Sequence, residues 1–359
     1  AARLYLVVLI LQHYVFHTWN IPFWATVLIS IFLVWLYTFR SGIKTIIWTD
    51  TLQAICLVAM LVIIIWQVKE KLGMTIPEMA QAISASPHFR IFEFSDWHST
   101  QHFVKQFFSG IFITIVMTGL DQDMMQKNLS CKSLRDAQKN MYSYGFAFTP
   151  VNFLFLTLGI SLLLLAQKEQ IALPAMSDDI LPMFCTSGIL GNSILIFFTI
   201  GIIAAAFSSA DSALTALTTS FCVDILNIDK ENAKQASKTR LKVHLAMSLL
   251  FAAIIIIIKE LNNRSVIDAI YMIASYTYGP LLGLFVFGLF TRRVPNDKLV
   301  PYICILSPLV CYGISYWGNH CAGYTFGYEL LMLNGFITFT GLLLLSKKNK
   351  QEYTNTNGN

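Results

Sequence analysis

The sequence predicts an all-α fold, a polytopic transmembrane helix bundle, and three observations carry that reading. The 359 residues are 55% hydrophobic and only 13% charged, with 27 phenylalanines, and the mean hydropathy is +0.60, far from soluble usage. Apolar stretches of about 20 residues, enough for a helix to cross ~30 Å of hydrocarbon, recur along the chain. The strict alternation of a membrane-barrel strand is missing, so the backbone must satisfy its hydrogen bonds inside helices.

Ten spans follow from those stretches: 2–18, 21–39, 44–68, 104–126, 139–167, 189–223, 240–259, 266–291, 299–318 and 326–346. The connections between them alternate in basic content, and one side collects 18 of the 25 lysines and arginines. The positive-inside rule makes that side cytoplasmic. A net charge of +5 spread this way needs no nucleic-acid partner. The outer connection 69–103 carries Pro77, Pro87 and Trp97, and residues 347–359 form a cytoplasmic polar tail on one membrane core over 1–346. The opening Ala1-Ala2-Arg3 already lies in an apolar segment and reads as a truncated start.

The seven cysteines show neither metal-type nor CxxC spacing and read as packing residues. Cys185 and Cys321 both fall on the outer side, which leaves a disulfide open. No nucleophile elbow, HExxH, P-loop or dinucleotide glycine pattern is found. The seven histidines are scattered, and His13 and His17, a turn apart near the first loop, read as interfacial.

Ionisable groups within hydrocarbon are costly and mark functional pathways. Four acids qualify: Asp50, Asp121, Asp211 and Asp268, the last an interfacial cap. In the 189–223 span Gly201, Ala204, Ala205, Ser208, Asp211, Ser212, Thr215 and Thr219 share one face at helical spacing. Such a face is either a small-residue helix interface with hydroxyls bonded to the preceding turn, or a cation site. Asp211 tilts the balance, because a carboxylate among hydroxyls with no Lys or Arg near it on its helix suits a hard cation. Asp50, flanked by Thr49, Thr51 and Gln53, supplies a second carboxylate. Two such acids bind sodium or share a proton, and Asp50 alone would merely fix its helix; the residues leave these open.

In the 104–126 span, Gly110, Thr114, Thr118 and Gly119 interrupt the apolar run, as in a discontinuous helix at a binding site or a packing helix with a polar end. Gly279-Pro280 in mid-span predicts a kink. Tyr276 and Tyr278 beside it either reach a cavity or pack.

Four segments, LYTFRSGIKTIIWTDTLQ (36–53), GLDQDMMQKNLSCKSLRDAQ (119–138), AAAFSSADSALTALTTSFCVDIL (204–226) and YGPLLGLF (278–285), resemble the sodium:solute symporter family in order and spacing. The resemblance implies a LeuT-type inverted-repeat fold lacking the first helices, since the opening spans correspond to the family's fourth helix onward. It implies alternating-access import of a small organic solute across the cell inner membrane, with Na+ as the bound coupling ion. The solute would be a sugar, sialic acid, carboxylate, amino acid or vitamin.

By position, the Ala205 carbonyl and the Ser208 and Ser209 hydroxyls match the conserved sodium site. A second sodium, where the family has one, lies between the acid matching Asp50 and the stretch Ser208, Asp211 and Ser212; Asp211 occupies a hydroxyl position. The substrate positions of sugar-transporting members fall on Thr114, Met117, Thr118 and Phe148. A transporter-like sensory membrane module is the second reading, and a membrane enzyme built on Asp50 and Asp211 the third.

Overall fold

A computed structural model describes residues 2–12, 16, 19, 21–38, 43–175, 177–228, 233–261, 266–321 and 323–348. Among them thirteen α-helices follow in chain order: α1 (Ala2–Ile10), α2 (Phe23–Thr38), α3 (Ile43–Leu72), α4 (Ile76–Ala85), α5 (Phe103–Thr114), α6 (Gln122–Leu129), α7 (Leu134–Glu169), α8 (Ile180–Thr186), α9 (Asn192–Ser220), α10 (Ala233–Leu261), α11 (Val266–Phe290), α12 (Val300–Cys321) and α13 (Leu330–Leu345). Each of the ten predicted spans holds one of these helices or, for 104–126, a broken pair. The short α4 and α8 were not expected.

Six helices are long and apolar enough to cross a membrane among the described residues, and a seventh crossing results if Phe103–Gly119 and Gln122–Leu129 count as one span. The expected ten full-length spans are therefore not all met. At 1.5 Å per residue, the 16 residues of α2 and of α13 reach about 24 Å, short of a full ~30 Å core. The 104–126 span is discontinuous, as the glycines and threonines predicted. A π-helical turn at Ile115–Gly119 ends α5, and the chain bends by 60° before α6.

The helices fall into two compact units, Ala1–Phe89 with Gln122–Val266, and Arg90–Asp121 with Ile267–Asn359. In the first unit α3 packs on α9 and α7. Leu61, Ile64, Val68 and Leu72 present one stripe of α3, and Leu158, Leu162 and Leu165 one stripe of α7, all buried. The opposite side of α3 is apolar as well, with Trp48, Leu52, Ile55 and Trp66 exposed, the pattern of a helix whose outer solvent is lipid. Lipid tails supply no hydrophobic drive between helices, so close approach decides the contacts. Gly201 on α9 is such a contact, because a side chain there would overlap the Met60 thioether of α3.

The end of α3 is stopped by Gly73 at φ 63°, and its last carbonyls are capped by Lys168 Nζ at 3.1 Å from Lys71 O and 2.8 Å from Leu72 O. The connection that follows opens with a capping box. Thr75 N donates to Glu78 Oε2 at 2.7 Å while Thr75 Oγ1 accepts from Glu78 N at 3.4 Å. These bonds hold the Glu78 carboxyl below its ordinary range.

The second unit contains α5, α11, α12 and α13 with a two-residue ribbon, β1 (Arg293–Val294) antiparallel to β2 (Lys347–Lys348). Its centre answers the Gly279-Pro280 question. Pro280 has no N–H, so the carbonyl of Tyr276, four residues earlier, loses its helical partner. Asn334 Nδ2 of α13 supplies the missing donor at 2.8 Å and also reaches Ser275 O at 3.1 Å. Ser307 Oγ of α12 lies 2.6 Å from Asn334 Oδ1, and Thr338 Oγ1 donates to Asn334 O at 3.0 Å. The Gly279-Pro280 pair is thus a docking point within the helix Val266–Phe290. Gly279 is required there because any side chain would overlap Asn334. Tyr278 packs against the cluster of Val116, Leu282 and Leu331, and Tyr276 faces the Tyr312 ring at 6.4 Å. Cys185 and Cys321 are both free thiols.

Asn334→Leu, which strands the Tyr276 carbonyl in an apolar core while the Ser307 hydroxyl keeps the backbone carbonyl of residue 334 at 2.9 Å, is expected to lower unfolding stability by about 1–3 kcal/mol, read as a lower Tm in detergent. Glu78 has a depressed folded pKa, so the stability of its capping box is present above the ordinary carboxylate pKa and is lost as pH falls through the folded value. Protection of the α4 amides, corrected for the intrinsic exchange rate at each pH, should therefore fall in acid in the native protein, and Glu78→Gln should remove that pH dependence.

Candidate functional site

The site lies in the first unit, where α3, α6 and α9 meet. On α9 the residues from Ala210 to Thr218 turn one face inward: Asp211 is 0% exposed, and Ser212, Thr215 and Thr218 are buried beside it. Part of this oxygen-rich face behaves as the packing alternative required, since Thr218 Oγ1 donates to Leu214 O at 2.6 Å and Thr219 Oγ1 to Thr215 O at 2.8 Å. Asp211 Oδ1 accepts the Ser212 N–H at 2.5 Å.

Two of the carboxylates, Asp50 and Asp123, share a protein cation. Lys127, on α6, places Nζ 2.8 Å from Asp50 Oδ2, 3.0 Å from Asp123 Oδ1 and 3.1 Å from Ser212 Oγ. One ammonium thereby ties α3, its own helix and α9. The expectation of no counter-charge concerned Asp211, whose neighbour Ser212 takes the lysine; for Asp50 the cation comes from another element. Its sequence signal was Asp123–Lys127, an acid and a base four apart on one helix face. These side chains are between 19% and 29% exposed, so the pair is partly shielded and its attraction exceeds that of a surface pair.

Of the residues expected to hold sodium, Asp50 and Ser212 are brought together through Lys127, and Asp211 lies next to Ser212 in the buried face. Ala205 is half-buried in the same helix. The side chains of Ser208 and Ser209 lie outside the described residues, although the backbone there is helical. His13, His17 and the side chain of Asp268 also lie outside them. Among the flanking groups of Asp50, Thr51 Oγ1 donates to Ile47 O at 2.8 Å, and Gln53 Oε1 is buried without a hydrogen-bond partner.

The expected substrate residues divide between the units. Thr114, Met117 and Thr118 follow one another on α5 and its π-helical turn, with the Thr114 hydroxyl returned to Gly110 O at 2.8 Å. Phe148 stands on α7, 57% exposed, its ring 6.1 Å from that of Tyr144. Asp121 closes the broken span.

One buried residue was not anticipated. His244 of α10 is 5% exposed and bridges Thr38 of α2 at 2.9 Å and Thr218 of α9 at 3.0 Å. The only sequence signal for it was a lone histidine in the apolar run VHLAMSLL.

Membrane-length helices, a broken span and ion-paired side chains between helices together define a multi-pass α-helical membrane protein. The model of the sodium:solute symporter family matches residues 14–297, and the chain belongs to that family, which is one of transporters rather than enzymes. It is 26% identical over 294 residues to the sodium/sialic acid symporter SiaT of Proteus mirabilis, covering 79% of this chain and 58% of SiaT. It is 25% identical over 305 residues to the sodium/sialic acid symporter NanT of Aliivibrio fischeri, covering 80% of this chain and 58% of NanT. The chain thus spans just over half the length of these relatives. A solved structure of a Na+-coupled sialic acid symporter in its substrate-bound outward-open state has the same fold, with a TM-score of 0.75 at 20% identity over 96% of this chain and 71% of that one. None of these relatives is a sensory module, and that reading has no support.

Removing the ammonium tests the bridge. Lys127→Met leaves two carboxylates facing one another and is expected to lower stability by about 2–4 kcal/mol. A double-mutant cycle of Lys127→Met with Asp50→Asn should show a coupling of about 1–3 kcal/mol in thermal or denaturant unfolding.

Proposed function

We propose that the chain is the greater part of a sodium-coupled symporter of the cell inner membrane that imports a small organic solute by alternating access. The observation that carries this reading is the buried, oxygen-bearing face of α9 held against the Asp50-bearing α3 in a chain of this family. Sodium, a hard cation, is suited to carbonyl and hydroxyl oxygens. We assign it to the Ala205 carbonyl and the Ser208 and Ser209 hydroxyls, with Asp211 next along the face as the balancing charge. Asp50 and Ser212 we assign to the Lys127 ammonium, which supplies from within the chain the positive charge a second ion would otherwise bring. On this reading one sodium ion couples to each solute.

The solute is an acidic sugar of the sialic acid class. That choice rests on the names of two relatives, and of the family positions we keep Thr114, Met117 and Thr118, in the second unit, as its contacts. Coupling is linkage: whatever factor sodium adds to solute affinity, solute adds to sodium affinity.

Uptake of radiolabelled sialic acid into proteoliposomes holding the full-length protein tests these assignments. Uptake should need sodium and saturate with a Hill coefficient near one, and Ser208→Ala should raise the sodium concentration for half-maximal uptake by roughly 10-fold, about 1.4 kcal/mol. Lys127→Ala, by opening an oxygen cage to the medium, should raise the Hill coefficient toward two. Sodium-independent uptake would overturn the coupling, and a wild-type coefficient near two would overturn the tethered charge.

A further inference from the structure

We propose that the start of α5, in the second unit, is a binding site for a small monovalent anion centred on the ammonium of Lys105. Lys105 is only 6% exposed, and its Nζ has no hydrogen-bond partner. Its surroundings are aromatic. Nζ lies 4.1 Å from the centre of the Tyr324 ring and 5.5 Å from that of Trp97. Ring faces return only a small part of what an ammonium loses on leaving water, and a buried cation needs an opposite charge with hydrogen bonds.

Two further polar groups on the same helix face lack partners. Positions 102, 105 and 109 follow helical spacing. Ser109 Oγ, in a residue 1% exposed, and His102 Nδ1, in a residue 6% exposed, are both buried without a hydrogen bond. One orphaned polar atom in a core is an exception to be explained, and a buried ammonium with two more on its helix face calls for one common explanation. The groups sit at the end of α5 that the basic-residue distribution places on the outer side.

Glu329 is the acid nearest in connectivity; one of its carboxylate oxygens is bonded within its own loop, and the other, Oε2, is buried without a hydrogen-bond partner. Its Oε1 accepts from Tyr324 Oη at 3.0 Å and from Gly327 N at 2.9 Å, and Lys105 forms no ion pair with it or with any other described residue. Its charge, attached to the same tyrosine, disfavours a dianion. A single ammonium, one hydroxyl and an imidazole between ring walls fit an anion of one charge and a few atoms. Chloride and a carboxylate group share that chemistry.

The purified full-length protein tests this by thermal shift, with sodium fixed and a bulky organic sulfonate replaced stepwise by chloride or by acetate. A saturable rise in Tm is expected for the wild type, retained in Lys105→Arg and absent in Lys105→Met. A response to chloride alone identifies a halide site, and one to acetate alone identifies a carboxylate site; either supports the proposal. Ser109→Ala keeps the ammonium and should weaken the apparent anion affinity several-fold, which serves if Lys105→Met does not fold. No saturable response in the wild type, an equal response in Lys105→Met, or unchanged affinity in Ser109→Ala would overturn it.

Discussion

A single ammonium holds the first unit's polar interior together. Lys127 reaches Asp50, Asp123 and Ser212 from one nitrogen, and each contact is to a different element or a different turn. In water such a cluster would contribute little, since exposed pairs are screened and cost side-chain entropy. Between apolar helices the balance changes. Each carboxylate without a cation would carry a desolvation cost, so the lysine fixes the separation of α3, α6 and α9 as well as their charge. The small residues of α9 make this reach possible, because Gly201 lets α3 come close enough for its polar turn to share the lysine.

The second unit solves a related problem with neutral groups. Pro280 frees a carbonyl where no water can satisfy it. Asn334 takes that carbonyl and ties Ser307 at the same time. Both units are thus pinned by one polar side chain bonded to two neighbouring helices, while the apolar side chains around it are interchangeable with lipid. This division is consistent with the exposure of large hydrophobic residues such as Trp48, Phe146 and Phe290. It also gives family membership a physical content in the first unit, for three of the matching motifs carry Asp50, Asp123 with Lys127, and Ser212.

Much of the candidate site was legible, and the limit of legibility is instructive. Asp50, Asp211 and Ser212 stood out because polar groups in apolar runs are expensive wherever they occur, and the break at Gly119 stood out because glycine and threonine interrupt a helix for local reasons. Lys127 was in view as part of GLDQDMMQKNLS but was counted only as a cytoplasmic topology charge. Its partner Asp123 lies one helical turn away, a local signal of an ion pair on one helix face. His244, Lys105 and Asn334 gave no usable signal, since each is a single polar residue whose meaning depends on a partner between 26 and more than 200 positions away.

The sequence by itself determined the helical membrane class, the order of the helices, the discontinuity in the 104–126 span and which helix carries an oxygen-bearing face, because hydrocarbon solvation and helical periodicity act residue by residue. Tertiary structure alone decided which charges neutralise which, that the carbonyl freed by Pro280 is taken by a neighbouring helix, and which buried groups are left without partners. Those outcomes depend on distances of about 3 Å between residues far apart in the chain, and no local pattern encodes such a distance.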